Sequence, residues 1–216
     1  MRTLLLSDTH GQHEFLAINH RYDIAIHTGD FSNGSEASTD RFLAWFSELD
    51  CEHKLLIAGN HDWFPFRNPD EFSDKCHRLG ITYLCDSSVT INGIEFYGTP
   101  WVPQFYDWAF MEYEPKLLEI YSSIPPTTQV LLTHGPALGV LDRVSRGNVG
   151  SSALARILPT LPALQYHFFG HIHEGAGIHK TPNLISINAA CMTGTYQLTK
   201  PTYRTLRITN DTRKIV

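Results

Sequence analysis

The sequence predicts an α/β fold in which a pair of mixed β-sheets is flanked by helices. In the first half of the chain, apolar segments of strand length alternate with segments of helical periodicity. This alternation is typical of layered α/β proteins, and continuous apolarity is typical of strands covered on both faces. From about Ile81 onward strand patterns follow one another with fewer helices between them, which favours mixed sheets over a fully parallel one.

Three strands and two helices are predicted in the first half. The strands cover residues 3–6, 23–26 and 54–58. The first helix covers residues 36–49, in which apolar side chains recur at helical spacing. The second covers residues 69–79, because Asn68 suits the N-cap, Pro69 the first helical position and Gly80 the position after the end.

The second half begins with a predicted β-hairpin. Residues 89–91 and 94–97 alternate in polarity around Asn92-Gly93, a dipeptide typical of two-residue hairpin turns. One further helix is predicted at residues 151–158. Further strands are predicted at residues 129–132, 166–169, 184–187 and 203–208.

Length and composition predict one domain spanning residues 1–216. The net charge of −5 and the dispersed lysines and arginines exclude the basic stripe that a nucleic-acid polymer requires. No apolar run approaches bilayer length, so no membrane association is expected. The four cysteines lack redox or zinc-binding spacing and are interpreted as free thiols of a cytoplasmic protein. Oligomerisation stays open.

Five short polar motifs follow predicted strands in a fixed order. They are Asp8-Thr9-His10, Gly29-Asp30, Gly59-Asn60-His61-Asp62, Thr133-His134-Gly135 and Gly170-His171-Ile172-His173. Because ligands gather at the carboxyl ends of strands in open α/β sheets, we expect these motifs to meet at one edge. Carboxylate, imidazole and amide ligands without cysteine suit a pair of divalent cations rather than a structural zinc ion. We expect two such ions, with Mn favoured and Fe, Zn, Co or Ni as alternatives.

The order of these motifs resembles that of the calcineurin-like metallophosphoesterase superfamily, over about residues 1–191. The segments Gly98-Thr99-Pro100-Trp101-Val102-Pro103, Leu132-Thr133-His134-Gly135-Pro136 and Gly170-His171-Ile172-His173-Glu174-Gly175 resemble those of one subgroup. That subgroup comprises the metallophosphoesterase-domain-containing proteins, which are similar to class III cyclic-nucleotide phosphodiesterases. The resemblance implies a four-layer α-β-β-α sandwich with a dinuclear metal site at the carboxyl edge of its strands.

The resemblance also implies a role for each site residue. Asp30 would bridge two ions, and Asn60 would contact both metal and substrate. The remaining ligands would be Asp8, His10 and His173 at the first metal, and His134 and His171 at the second. A metal-bridging hydroxide would attack the phosphorus in line, and His61 would protonate the leaving oxygen. Asp62 is a candidate to orient His61 or raise its pKa, with a solvated surface aspartate as the alternative.

Other side chains leave more than one interpretation open. Arg143 and Arg146 are candidates to bind substrate, or surface charges beside a helix. His27 is either a hydrogen-bonding neighbour of a ligand or a buried, satisfied histidine. The aromatic segment 101–113 is a lid or stacking wall beside the metals, the packing of a long loop onto the core, or a subunit interface.

The expected substrate is a small phosphodiester, with cyclic nucleotides among the candidates. Serine/threonine phosphatases of the superfamily carry a longer G-D-x-V-D-R-G motif and an arginine before G-N-H. Here the corresponding stretches contain Gly34 and Ala58 instead of those arginines. A small-molecule phosphomonoesterase is the alternative, and a catalytically silent interaction scaffold a more remote one.

Overall fold

Two mixed β-sheets form the centre of the structure, a computed structural model that describes residues 1–200 and 202–209. The strands in chain order are β1 (Arg2–Leu6), β2 (Tyr22–Thr28), β3 (Cys51–Ile57), β4 (Thr82–Tyr83), β5 (Ser87–Ile91), β6 (Ile94–Thr99), β7 (Val102–Pro103), β8 (Met111–Glu112), β9 (Val130–Thr133), β10 (Arg143–Val144), β11 (Gly147–Asn148), β12 (Tyr166–Phe169), β13 (Gly177–Lys180), β14 (Ile185–Asn188) and β15 (Arg204–Arg207). The α-helices are α1 (Glu36–Ser47), α2 (Trp63–Arg67), α3 (Pro69–Arg78), α4 (Glu114–Ser122) and α5 (Ser152–Ile157).

Each sheet is parallel in its interior and antiparallel at an edge. The first has the order β15-β1-β2-β3-β4, in which only the pairing of β15 with β1 is antiparallel. The second has the order β13-β14-β12-β9-β6-β5, with antiparallel pairing at β13 and at β5. Two short ribbons, β7-β8 and β10-β11, lie outside these sheets.

The buried apolar side chains form three layers, which define a four-layer α-β-β-α sandwich. In β1, Leu4 and Leu6 face the layer that contains Phe42 and Phe46 of α1, whereas Leu5 faces the layer between the sheets. The third layer lies between the second sheet and the helices α4 and α5. Successive side chains of a strand point to opposite faces, so a strand that is apolar throughout is covered on both sides.

The carboxyl ends of the two sheets meet, which brings loops from both together. Ser7, directly after β1, forms a parallel bridge with Ala190, which follows β14. The amide of Gly170 donates to the carbonyl of His134, so the loops after β9 and β12 are joined as well. This edge therefore holds all five polar motifs.

The predicted α/β sandwich of two mixed sheets is confirmed. The helices predicted at 36–49 and 69–79 end about one to two residues earlier than expected, and Asn92 and Gly93 both have positive φ, as a type I′ turn requires. Helix α4 and strand β13 were not predicted. Helix α4 buries only Leu117 and Tyr121 fully, so its apolar periodicity is short, and β13 is a largely exposed edge strand. In the described part of the chain no helix has the length and apolarity to cross a membrane.

Candidate metal centre

The side chains predicted as metal ligands, together with the predicted general acid His61, lie at this edge in three overlapping groups. Within each group the ligand atoms lie within 4.8 Å of one another, and the groups are Asp8, His10 and His173; His10, Asp30 and His61; and Asp30, His134 and His171. The amide oxygen of Asn60 lies 3.0 Å from Nε2 of His134. Asp30 belongs to two of the groups, as expected of a carboxylate that bridges two cations.

Several of these side chains are carried by strained backbone. Asp8, His10, Asp30 and His171 have φ values of 55°, 41°, 55° and 66°, in the left-handed region that residues other than glycine rarely adopt. Such conformations cost of order 1–3 kcal/mol each and cluster at functional sites. The loops therefore hold the four side chains in place against a local backbone preference.

Two glycines are needed for space rather than for backbone freedom. A methyl group at Gly59 would overlap the carboxylate and amide of Asp30, and one at Gly170 would overlap the carboxylate of Asp8 and the hydroxyl of Ser7. Gly29 differs, since its φ of 99° does require glycine. Of these three glycines, only Gly29 has a positive φ, while Gly59 and Gly170 leave room for neighbouring side chains.

Backbone carbonyls orient two of the histidines. Nδ1 of His134 lies 2.8 Å from the carbonyl oxygen of Thr28, and Nδ1 of His173 lies 2.9 Å from that of Thr193. A carbonyl oxygen only accepts, so each Nδ1 carries a proton and Nε2 faces the site. Nε2 of His134 is 3.3 Å from Asp30, and Nε2 of His173 is 3.5 Å from Asp8. This arrangement is common for histidines that bind a metal through Nε2.

The electrostatic environment of the site favours ionised aspartates next to protonated histidines. Burial opposes ionisation of Asp8 and Asp30, but the neighbouring histidines hold the pKa of both carboxyls below its usual value. Burial likewise opposes protonation of His134 and His173, yet Asp30 raises the pKa of the first to about 9 and Asp8 that of the second to about 9. A divalent cation at this place would replace such a proton.

Two further histidines of the groups, His10 and His171, have a lowered pKa, which favours the neutral ring. Burial lowers the pKa of His171 to about 3, and the charge of His134 contributes to the shift. Burial also lowers the pKa of His10. Neutral imidazoles, ionised carboxylates and one amide are the donors that divalent transition-metal ions prefer. The residues present therefore suit two divalent cations, with the Asp30 carboxylate between them.

His61 lies at the rim of the site. Its side chain is 24% exposed, and Nε2 is 3.9 Å from the carboxylate of Asp30. The ring of Trp108 packs on it with centroids 4.1 Å apart, and the ring of His10 meets it edge-on at 4.8 Å. The amide of His61 donates to the other oxygen of Asp30 at 2.8 Å. His61 is thus held beside the bridging carboxylate and open to solvent.

The carboxylate of Asp62 is fully buried and points away from solvent. One oxygen accepts from the amides of Asp30, Gly59 and Phe31, and the other from the amide and hydroxyl of Ser32. Burial and the Asp30 carboxylate raise the pKa of Asp62 to about 7, while the donors from Gly59 and Ser32 oppose that shift. In the described residues none of its hydrogen bonds involves the ring of His61, so Asp62 joins the two loops that carry Asp30 and Asn60.

His27 is buried and hydrogen-bonded beside two ligand loops. Its Nδ1 accepts from the amide of Gly29, and its Nε2 lies 3.1 Å from the hydroxyl of Thr9. Burial lowers the pKa of His27 to about 3, so the ring is neutral. Both interpretations of this residue therefore apply, because a buried and satisfied histidine here also holds the backbone next to Asp8 and Asp30.

Arg143 and Arg146 lie on or beside the short β10-β11 ribbon, and both are exposed. The ribbon's loop is next to the last metal-ligand motif, since Nδ2 of Asn188 contacts both the carbonyl of Leu141, at 3.5 Å, and that of Ile172, at 2.8 Å. Among the described residues neither arginine forms an ion pair with a carboxylate. The structure places them near the site without bringing them into contact with it.

The aromatic segment 101–113 divides between the core and the site. Trp101 and Phe110 pack against each other and against Phe66. Phe105, which is 42% exposed, lies with its ring 5.6 Å from that of His171, and Trp108 covers His61. Two of the predicted rings therefore contact the site, and others pack the loop.

Tyr196 is a site residue that the sequence did not reveal. Its ring meets that of His10 at 5.0 Å and that of His173 at 5.6 Å, both nearly edge-on. Burial raises the pKa of its hydroxyl, and Asp30 and Asp8 add to the shift. It stands in no recognisable motif, and only the chain path after β14 brings it over the first group of ligands.

Comparisons with known proteins agree with the geometry. A family model described as calcineurin-like phosphoesterase matches residues 1–175. Human metallophosphoesterase domain-containing protein 1 is 33% identical over 225 residues, covering 93% of this chain and 69% of the human protein. Phosphopantetheinyl hydrolase from Mycobacterium tuberculosis has a similar structure, with a TM-score of 0.63 at 13% identity, over 94% of this chain and 95% of that one. A dimetal phosphatase from Danio rerio has a TM-score of 0.51 at 12% identity, over 88% of this chain and 87% of that one.

The two structural matches, at such low identity, support the fold alone. The family model covers most of the chain, and the similarity to the human relative extends over 93% of this chain. The predicted resemblance is thereby confirmed, including the subgroup of metallophosphoesterase-domain-containing proteins. The chain belongs to the calcineurin-like metallophosphoesterase family.

Proposed function

We propose that the protein hydrolyses a small phosphodiester with two divalent metal ions and that His61 is the general acid. The observation that carries this proposal is the pair of ligand groups that share Asp30, with the partly exposed His61 next to that carboxylate. Asp8, His10 and His173 would hold one ion and Asn60, His134 and His171 the other. When bound, the ions supply positive charge for the phosphoryl oxygens and lower the pKa of water that serves as nucleophile.

In this proposal the protein side chains position the general acid and transfer a proton to the leaving oxygen. The Asp30 carboxylate accepts a hydrogen bond from the His61 amide, which fixes the backbone of His61 relative to the carboxylate proposed to bridge the two ions. The ring packs between Trp108 and His10 and remains partly exposed, with Nε2 3.9 Å from the Asp30 carboxylate. An imidazole at this place donates a proton to the departing oxygen, a contribution typically worth a factor of about 10² to 10⁴ in rate.

The replacement of both motif arginines, by Gly34 and Ala58, supports a diester over a monoester. A monoester carries more negative charge, and Arg clamps are the usual means of binding it. Ala58 and Gly34 stand at the sequence positions that carry arginine in the serine/threonine phosphatases; Ala58 is buried and Gly34 lies against Trp63. The cations alone would then balance the substrate charge. A diester carries a single negative charge and therefore needs less positive charge around it than a monoester does.

The test compares bis-p-nitrophenyl phosphate with p-nitrophenyl phosphate. Chelator-stripped protein should be inactive, and added Mn should restore turnover with the diester preferred. A preference for the monoester would favour a small-molecule phosphatase. No turnover of either substrate with Mn, Fe, Zn, Co or Ni would favour a scaffold that binds protein partners.

The assignment of His61 requires a separate experiment, because its distance from Asp30 also suits a ligand. His61→Ala should retain two metal ions per chain, measured by mass spectrometry of the dialysed protein. Its turnover should fall about 10²-fold for an alkyl leaving group and much less for p-nitrophenolate, which departs without a proton. Loss of an ion, or equal losses on both substrates, would contradict the general-acid role.

A further inference from the structure

We propose that Tyr196 is a substrate-contacting residue that stacks on an aromatic ring of the non-leaving ester group. The inference rests on the proposed phosphodiester hydrolysis and names a substrate class for it, namely diesters that carry an aryl or nucleobase group. Tyr196 lies outside residues 1–175, which the family model covers.

The first observation is that Tyr196 is held in an unfavourable conformation. Its φ of 58° is rare for a bulky aromatic residue and costs of order 1–3 kcal/mol. The surrounding turn is closed by hydrogen bonds, in which the amide of Tyr196 donates to Thr193 and Thr193 also pairs with Gln197. The side-chain amide of Gln12 donates to the carbonyl of Tyr196 at 3.2 Å and anchors it to the loop after β1.

The second observation is that this strained turn presents its ring to the metal site and to solvent. The ring rests on His10 and His173, two predicted ligands of the first metal, and the residue is still 49% exposed. The carbonyl of Thr193, in the same turn, orients the ring of His173. The turn thus has two effects: it fixes a ligand and leaves an aromatic surface uncovered above it.

The third observation concerns the opposite group of ligands. Phe105 rests on His171 of that group and is likewise partly exposed. Trp108 packs on His61, the proposed general acid, whose ring also meets that of His10. A phosphorus held between the two groups therefore has aromatic side chains on either flank. In the described part of the chain no arginine or lysine contacts these rings at the site. Recognition of a substituent by stacking rather than by charge follows from this composition.

The experiment compares two diesters that share a leaving group. Bis-p-nitrophenyl phosphate and methyl p-nitrophenyl phosphate both release p-nitrophenolate and differ only in the group that stays. For Tyr196→Ala the ratio of their kcat/KM values should fall about 5- to 10-fold, at the low end of what one stacking side chain contributes. Tyr196→Phe should retain the ratio, because the ring and not the hydroxyl makes the contact.

A binding measurement gives a second readout that does not depend on turnover. Calorimetry with the Mn-loaded protein should show the same 5- to 10-fold loss in the preference for phenyl phosphate over methyl phosphate in Tyr196→Ala. Tyr113→Ala is the matched control, since Tyr113 is an exposed tyrosine without a ring contact to a site histidine in the described chain. Both of its ratios should stay at the wild-type value.

The outcomes separate this inference from the function on which it rests. If wild-type protein hydrolyses neither diester, the proposed function is wrong, and calorimetry still tests the contact. If Tyr196→Ala lowers the kcat/KM values of both diesters equally, or the affinities for both phosphates equally, Tyr196 only supports the fold of the turn and the inference is overturned. An aryl-to-methyl ratio within twofold of the wild-type value overturns it as well.

Discussion

Replacement of Asp62 should destabilise the protein by an amount that depends on which hydrogen bonds survive. In Asp62→Ala all five donors lose their acceptor, namely four backbone amides and the Ser32 hydroxyl. A buried donor without a partner costs about 1–3 kcal/mol, and removing one partner of a buried charged network costs about 3–5 kcal/mol in total. We therefore expect a loss of about 3–5 kcal/mol, a large part of the 5–15 kcal/mol typical of folded domains.

Asp62→Asn should cost less because the amide can be oriented favourably. Its oxygen can stay near Asp30 and Gly59, so that the donors on that side keep their acceptor. Its nitrogen then faces Ser32, whose hydroxyl can rotate to accept, and only the Ser32 amide loses a partner. The expected loss is about 1–3 kcal/mol.

The assay is urea denaturation of chelator-stripped protein at pH 8, where the Asp62 carboxyl is ionised. Removing the metal first keeps ligand binding from contributing to the free energy of unfolding. Asp74→Ala, an exposed change on α3, is the control and should shift stability by no more than about 0.5 kcal/mol. A loss below about 1 kcal/mol for Asp62→Ala would refute the reasoning. A role in raising the pKa of His61 would instead appear as a shifted pH–rate profile with unchanged stability.

Three further predictions concern the ligand loops and a buried histidine. Asp30→Asn should reduce the metal content below two ions per chain and abolish metal-restored turnover, whereas full content with full activity would exclude the bridging role. Gly170→Ala should weaken metal binding at least tenfold by titration, because its methyl group displaces Asp8, and unchanged affinity would show that the loop adapts. Burial lowers the pKa of His167 to about 3 from 6.5, so between these values the unfolded chain binds a proton that the folded one does not. The contribution of the neutral ring to the free energy of unfolding is therefore lost as pH falls. From pH 7 to pH 5 we expect this residue to lower that free energy by about 2 kcal/mol. In His167→Gln the decrease measured by urea denaturation over the same pH range should be smaller by that amount.

The main strands and the polar motifs that follow them were readable from local pattern. The apolar runs before Asp8, Asp30 and His134 predict buried strands because period and composition are local properties. The carboxyl-edge rule then predicts convergence without coordinates. Helix α4 was not predicted, because only two of its side chains are buried and its sequence therefore shows little apolar periodicity.

The hydrogen-bond partners of Asp62 could not be predicted from local sequence pattern. The tetrapeptide Gly59-Asn60-His61-Asp62 places the carboxylate next to a candidate acid, and adjacency in sequence suggested partnership with His61. In the folded chain the side chain turns inward to amides of the loop after β2, about thirty residues away in sequence. Hydrogen-bond partners that come from another strand are decided by packing, which the tetrapeptide does not encode.

Tyr196 gives the same result for the substrate side of the site. Its neighbours in sequence are polar and unremarkable in spacing, and nothing before the fold is known relates it to His10 or His173. The sequence alone thus determined the candidate ligand side chains and the sheet edge that carries them, because those depend on strand periodicity and residue type. Only the tertiary structure decided which loops are joined by Asp62 and which aromatic rings contact the histidines of the site, because those contacts arise from long-range closure of the two sheets.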